Sequence, residues 1–161
     1  MENNIDVQIG EVRTCRGEAI MRTRAIGSCI AIAAYDPTQR IGSLAHAMLP
    51  GRASEKKESE QKTRYMANAI EAIIEGMTSL GAKVSDIQVF LVGGGNVLER
   101  DDDTICQHNI ESAKELLKKN ELKLIAHATG GVSRRTISFD VGSGIVRYTE
   151  GDSGEMRLWP M

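Results

Sequence analysis

The chain has 161 residues, 41% of them hydrophobic, which suffices for one ordinary domain around a single core. Its 20 Lys and Arg against 22 Asp and Glu leave a formal charge of −2, which excludes a general electrostatic attraction for nucleic acid or an anionic membrane. Cys15, Cys29 and Cys106 stand far apart with no Cys-x-x-Cys spacing. An odd count cannot close a complete disulfide framework, so a reducing, cytoplasmic setting is expected. The first residues, with Glu2 and Asp6, lack the basic start and apolar stretch of a signal peptide. The longest apolar run, Cys29 to Tyr35, is far shorter than the roughly 20 residues of a membrane-spanning helix, so no membrane insertion is expected.

In chain order, short β-forming runs come first: Ile20 to Thr23, Cys29 to Tyr35, and Ile41 to Met48. Asp36-Pro37-Thr38-Gln39 between the last two reads as a reverse turn, since Asp bonds its own backbone and Pro presets φ, and the two runs are expected to form an antiparallel hairpin. A polar segment follows Pro50 through Gln61 and reads as a loop or a helix start. The spacing of Met66, Ala69, Ile70, Ile73, Ile74, Met77 and Leu80 predicts a core-facing helix that stops at Gly81. Ile87 to Val92 reads as a strand, and Gly93-Gly94-Gly95 turns the chain out of it. Thr104 and Gln107 form a capping-box pattern for a second helix, with Ile110, Ala113, Leu116 and Leu117 on one face and Asn120 as its stop. Leu122 to His127, Thr136 to Phe139 and Ile145 to Tyr148 complete the strands. Strands outnumber helices without strict alternation, so the expected class is α/β of the α+β type: mixed, largely antiparallel sheet layers flanked by two main helices, in a single domain over 1–161.

Cys29 follows Gly27-Ser28 at a strand start, where a bent chain leaves backbone N–H groups free to face a substrate oxyanion. A turn symmetric about Pro37-Thr38 sets Cys29 directly opposite His46, and direct cross-strand partners share a face with Cβ atoms about 4.5–5.5 Å apart. A one-residue slip would separate them. A thiol of pKa about 8.5 is mostly protonated at neutral pH; a neighbouring imidazolium stabilises its thiolate, and the same ring then serves as acid and base in amide hydrolysis. Free cysteine is also among the most buried residue types, so a packing role for Cys29 stays open at this point.

Other features carry less chemistry. Gly93-Gly94-Gly95-Asn96 lacks the lysine and hydroxyl of a phosphate loop and reads as a tight turn. Asp101-Asp102-Asp103 lacks the glycine and glutamate of a calcium loop and reads as solvated. Cys106, His108 and His127 match no common zinc spacing, so no metal is expected. Arg134 and Arg135 either grip acidic groups on a partner, the preferred reading, or simply sit in solvent.

Thr23-Arg24-Ala25-Ile26-Gly27-Ser28-Cys29, Gly42-Ser43-Leu44-Ala45-His46-Ala47-Met48-Leu49-Pro50, Arg64-Tyr65 and Phe90-Leu91-Val92-Gly93-Gly94-Gly95-Asn96 resemble the CheD family of chemoreceptor glutamine deamidases over roughly residues 7–146. The most specific part is Gly-Ser-Cys followed seventeen residues later by His in a His-x-Met-Leu-Pro context. The resemblance implies hydrolysis of glutamine side chains to glutamate on the cytoplasmic helices of methyl-accepting chemotaxis receptors, through a cysteine thioester and without cofactor or metal. It implies Cys29, His46 and Thr23 as the catalytic residues, Thr23 orienting the imidazole. It also implies CheC, a phosphatase of the phosphorylated response regulator, as a partner. The chain departs from the family pattern at Ser43, Cys106, Ala128 and Arg134, which puts the receptor-facing or CheC-facing surface in question. The rival reading is an adaptor that docks on receptors or CheC without turnover, and a third is nucleotide binding at the glycine loop.

Overall fold

The structure, a computed structural model, describes residues 3–161. Its strands are β1 (Asn4–Asp6), β2 (Val12–Arg16), β3 (Ile20–Ile26), β4 (Ile30–Asp36), β5 (Ile41–Ala47), β6 (Gln88–Gly93), β7 (Lys123–Thr129), β8 (Arg135–Asp140), β9 (Ile145–Glu150) and β10 (Met156–Trp159). The α-helices are the single turn α1 (Ser59–Lys62), α2 (Met66–Ser79) and α3 (Ile105–Lys119). One sheet runs β1-β3-β8-β9-β10 and the other β2-β5-β4-β6-β7. Only the β1–β3 and β6–β7 pairs are parallel. The expected α+β class with largely antiparallel sheet layers and two main helices is what the chain adopts.

The layers explain the composition of the central hairpin. Every residue of β4 and β5 is buried, because their sheet is covered on both faces. Ile30, Ile32, Ala34, Ile41, Ala45 and Ala47 pack toward α2 and α3, while Ala31, Ala33, Tyr35 and Leu44 pack toward the other sheet with Met21, Phe90, Ile137 and Phe139. The small alanines let the sheets approach closely: a Cβ added at Gly42 would stand 2.9 Å from the Phe139 ring. Helix α2 buries Met66, Ile70, Ile73 and Met77, each contributing about 1.5–3 kcal/mol of hydrophobic burial.

Two local expectations are corrected. The hairpin is not symmetric about Pro37-Thr38. The Asp36 carboxylate accepts the N–H groups of Thr38 (2.9 Å) and Gln39 (3.3 Å), and Arg40 closes the loop in a left-handed conformation (φ 54°). That lengthens the loop to Pro37–Arg40, so Asp36 pairs with Ile41 and Ala31, not Cys29, stands opposite His46. The capping box at Thr104 does not form either. Thr104 precedes the helix with helix-like backbone angles (φ −100°, ψ −10°) and its side chain caps nothing, while the Asp103 carboxylate accepts the Ile105 N–H at 3.1 Å. Strands β1, β2 and β10 add to those expected, and the segment after Pro50 is mostly loop.

Candidate active site

The corrected register shifts the pairing by two residues, and since strand side chains alternate faces, an even shift preserves the face. Cys29 precedes β4 on the side that faces the other sheet, packed at the edge of the inter-sheet core. His46 opposes Ala31 on that same side. The two are diagonal neighbours instead of direct partners, a separation of about 7–8 Å between backbones. His46 is 1% exposed and Thr23, from β3 in the facing sheet, is 2% exposed. Their side chains meet across the inter-sheet layer, with Thr23 Oγ1 2.6 Å from His46 Nδ1. His46 Nε2 is buried and has no hydrogen-bond partner among the described residues. Thr23 and His46 are therefore brought into contact, while the thiol lies on their side without bonding the ring.

Strand β3 bends beside them. Between Thr23 and Ile26 the pairing with β8 shifts by one residue, and Ala25 takes a left-handed conformation (φ 55°), the mark of a β-bulge. Ala25 borders two cavities. One, of about 400 Å³, is lined by Cys29, Ser28, Leu98, Asp103 and Arg134; the other, of about 320 Å³, by Thr23, His46 and Gln8.

The turn carrying the thiol is pinned by its carbonyls. Gly94 N–H donates to the Cys29 carbonyl at 2.8 Å, and Gly95 N–H to that of Gly27 at 2.9 Å. Asn109 Nδ2 donates to the Ser28 carbonyl at 2.9 Å and to the Met48 carbonyl at 3.1 Å. The N–H groups of Gly27, Ser28 and Cys29 are donated to no other residue among those described, and that of Cys29 faces its own thiol. The glycine run is thus a brace, and the Gly94 and Gly95 N–H groups that a phosphate would need are occupied. Gly93 (φ 133°) must be glycine for a second reason: a Cβ there would stand 2.2 Å from the Cys29 carbonyl oxygen.

Burial sets the charge states. Desolvation pulls the His46 pKa from 6.5 down to about 4, so the ring is neutral at pH 7. Desolvation also raises the Cys29 thiol, with a smaller lowering contribution from its own backbone N–H. The imidazolium–thiolate pair expected from sequence is therefore disfavoured in the resting chain, which holds a neutral thiol and a neutral ring.

Arg135 is not a partner-gripping residue. It is 6% exposed and binds the Gly93 and Gly130 carbonyls (3.2 and 2.7 Å) and the Glu150 carboxylate (3.1 Å), which fastens the brace from behind. Arg134 is exposed and lines the Cys29 cavity. Of the other departures from the family pattern, Ser43 is fully buried and bonded to Thr14 Oγ1 and the Arg13 carbonyl, and Cys106 is buried in α3. Neither alters an outer surface. Cys106, His108 and His127 do not assemble: no three potential metal ligands converge among the described residues. Sequence reasoning gave Asn109 no role in the site. Its signal was a polar residue on the core-facing stripe of a helix, three after Cys106 and four before Ala113.

Comparison with known proteins identifies the family. The family profile described as "CheD chemotactic sensory transduction" matches residues 48–150. A protein of Chlorobium luteolum named "Probable chemoreceptor glutamine deamidase CheD" is 36% identical over 150 residues, covering 93% of this chain and 74% of its own. A protein of the same name from Archaeoglobus fulgidus is 34% identical over 99% of both chains. The "Chemoreceptor glutamine deamidase CheD" of Thermotoga maritima is 28% identical over 92% of this chain and 93% of its own. The profile begins after Cys29 and His46, but the pairwise matches span nearly the whole chain, and on both grounds the chain belongs to the CheD family.

Proposed function

We propose that the chain is a chemoreceptor glutamine deamidase in which Cys29 is the nucleophile, His46 the acid and base, and Thr23 the residue that fixes the ring. The observation that carries this reading is the Thr23–His46 hydrogen bond with Nε2 left unpartnered on the side of the sheet that bears Cys29. With Nδ1–H donating to Thr23 Oγ1, Nε2 keeps its lone pair and accepts the thiol proton as the substrate draws the two groups together. The thiolate sulfur bonds to the amide carbon, and the carbonyl electron pair moves to oxygen, to which the N–H groups of the Gly27–Cys29 turn donate. The C–N bond then breaks as Nε2–H gives its proton to nitrogen, and ammonia leaves a thioester. Nε2 takes a proton from water, hydroxide adds to the thioester, and the C–S bond breaks to return the thiol and leave glutamate.

Starting from neutral groups, this route needs no resting ion pair, in keeping with the burial of both side chains. The substrates are glutamines on the cytoplasmic helices of chemoreceptors, which sets the enzyme in the cytoplasm. No helix among the described residues is long and apolar enough to cross a membrane. CheC binding belongs to the same proposal, on the support of the family resemblance alone, and a pull-down with purified CheC tests it. Replacing Cys29 with alanine abolishes ammonia release from a receptor fragment on this reading while binding survives. Undiminished release from Cys29→Ala refutes it, and binding without turnover in the unmodified chain favours the adaptor reading.

A further inference from the structure

We propose that Asn109 is a positioning residue for this reaction: its side-chain amide holds the Ser28–Cys29 peptide in the orientation that presents the Cys29 N–H to the developing oxyanion. The inference rests on the deamidase reading above. Both acceptors of the Asn109 side chain are carbonyl oxygens, those of Ser28 and Met48, so the amide can only be oriented with its NH₂ toward them. In a trans peptide the C=O and the following N–H point in opposite directions. Anchoring the Ser28 carbonyl on α3 therefore aims the Cys29 N–H away from that helix. That N–H is donated to no other residue among those described and faces only its own thiol, from which attack on the substrate frees it.

Three successive carbonyls of the turn are held, at Gly27, Ser28 and Cys29. Two are held by backbone donors and only the middle one by a side chain. Asn109 is therefore the clamp that controls the plane carrying the Cys29 N–H. The same amide holds Met48, two residues past His46, so one side chain ties the chain entering β4 to the chain leaving β5. Packing alone does not account for it. The residue is fully buried and its Oδ1 has no partner, a desolvated acceptor that an apolar side chain of similar shape would not leave.

The test compares Asn109→Leu and Asn109→Asp with the parent chain, using ammonia release from a purified cytoplasmic chemoreceptor fragment and the rate of Cys29 alkylation by iodoacetamide. Removing an oxyanion donor outright lowers kcat about 100–1,000-fold, so releasing its orientation while the N–H stays in place is expected to lower kcat about 10–100-fold. KM and the alkylation rate of the fully ionised thiolate, read at the high-pH limit, stay within about twofold of the parent, because alkylation develops no oxyanion and at that limit no longer depends on the thiol pKa. A folded variant with kcat within about threefold of the parent overturns the inference, as does a parallel fall in kcat and alkylation, which would mean a general loosening of the turn. Failure of both variants to fold also overturns it, since Asn109 would then hold the fold and not the reaction. Cys29→Ala separates the two proposals. If it still deamidates, the deamidase reading through Cys29 fails whatever Asn109 does; if it is inactive while Asn109→Leu is fully active, only the present inference fails.

Discussion

The depressed pKa of His46 makes a thermodynamic prediction that needs no substrate. The ring is 1% exposed and its pKa falls from 6.5 to about 4 on folding, so between those values the unfolded chain binds a proton that the folded chain refuses. Stability attributable to this group is intact above pH 6.5 and is lost as the pH falls toward 4. With one pKa unit worth 1.36 kcal/mol, lowering the pH from 7 to 4.5 costs about 2.5 kcal/mol through His46 alone. Carboxylates titrate over the same range, so the measurement is a difference. Urea unfolding of the parent chain and of His46→Gln at steps from pH 7 to 4.5 should converge, the parent losing about 2.5 kcal/mol more than the variant. Curves that stay parallel across that interval would refute the reasoning, because they would mean that the imidazole is protonated in the folded chain as readily as in water.

The same pKa governs catalysis. With His46 as the base, kcat/KM for deamidation should hold its value down to about pH 5 and fall only as pH approaches 4; an acid limb centred near 6.5 would show a solvated ring. The raised Cys29 thiol should make iodoacetamide alkylation climb with pH through and beyond 9, with no plateau near neutrality. Gly93→Ala, whose Cβ would meet the Cys29 carbonyl at 2.2 Å in a left-handed backbone, should lose at least about 2 kcal/mol of stability in urea melts together with most activity. Arg134→Gly, at the mouth of the Cys29 cavity, should raise KM for a receptor fragment several-fold at low salt, less at high salt, and leave kcat unchanged.

How much of this was legible in the sequence depends on how local each feature is. Strands β4 and β5 were readable because burial on both faces leaves unbroken apolar runs, and α2 because its apolar spacing is regular. The Cys29–His46 register came out wrong by two residues because a single left-handed residue, Arg40, lengthens the turn, and nothing in the letters forces arginine into that conformation. The pair nevertheless stayed on one face, because strand side chains alternate with period two. The Thr23–His46 bond could only be inherited from the family, since it joins residues on different sheets and sheet packing leaves no periodic trace. Asn109 was hidden for the same reason: its acceptors lie 81 and 61 residues away in the chain. Strands β1 and β10 escaped because they are three and four residues long, with little burial to pattern them.

The hydrogen bond between Thr23 and His46 also works as an interlock between the two halves of the sandwich. One partner belongs to the sheet that gathers strands from both ends of the chain, the other to the sheet wrapped by the helices, and neither sheet alone brings the two together. Such a site depends on the docking of both sheets. The sheets must form, dock and expel water from between them before the imidazole acquires its partner and loses its proton affinity. A chain still emerging from synthesis, or one whose sheets have parted, would carry every residue named here and none of the arrangement. Activity that depends on this bond therefore reports whether the two sheets are docked, and not only whether the Cys29 turn is in place.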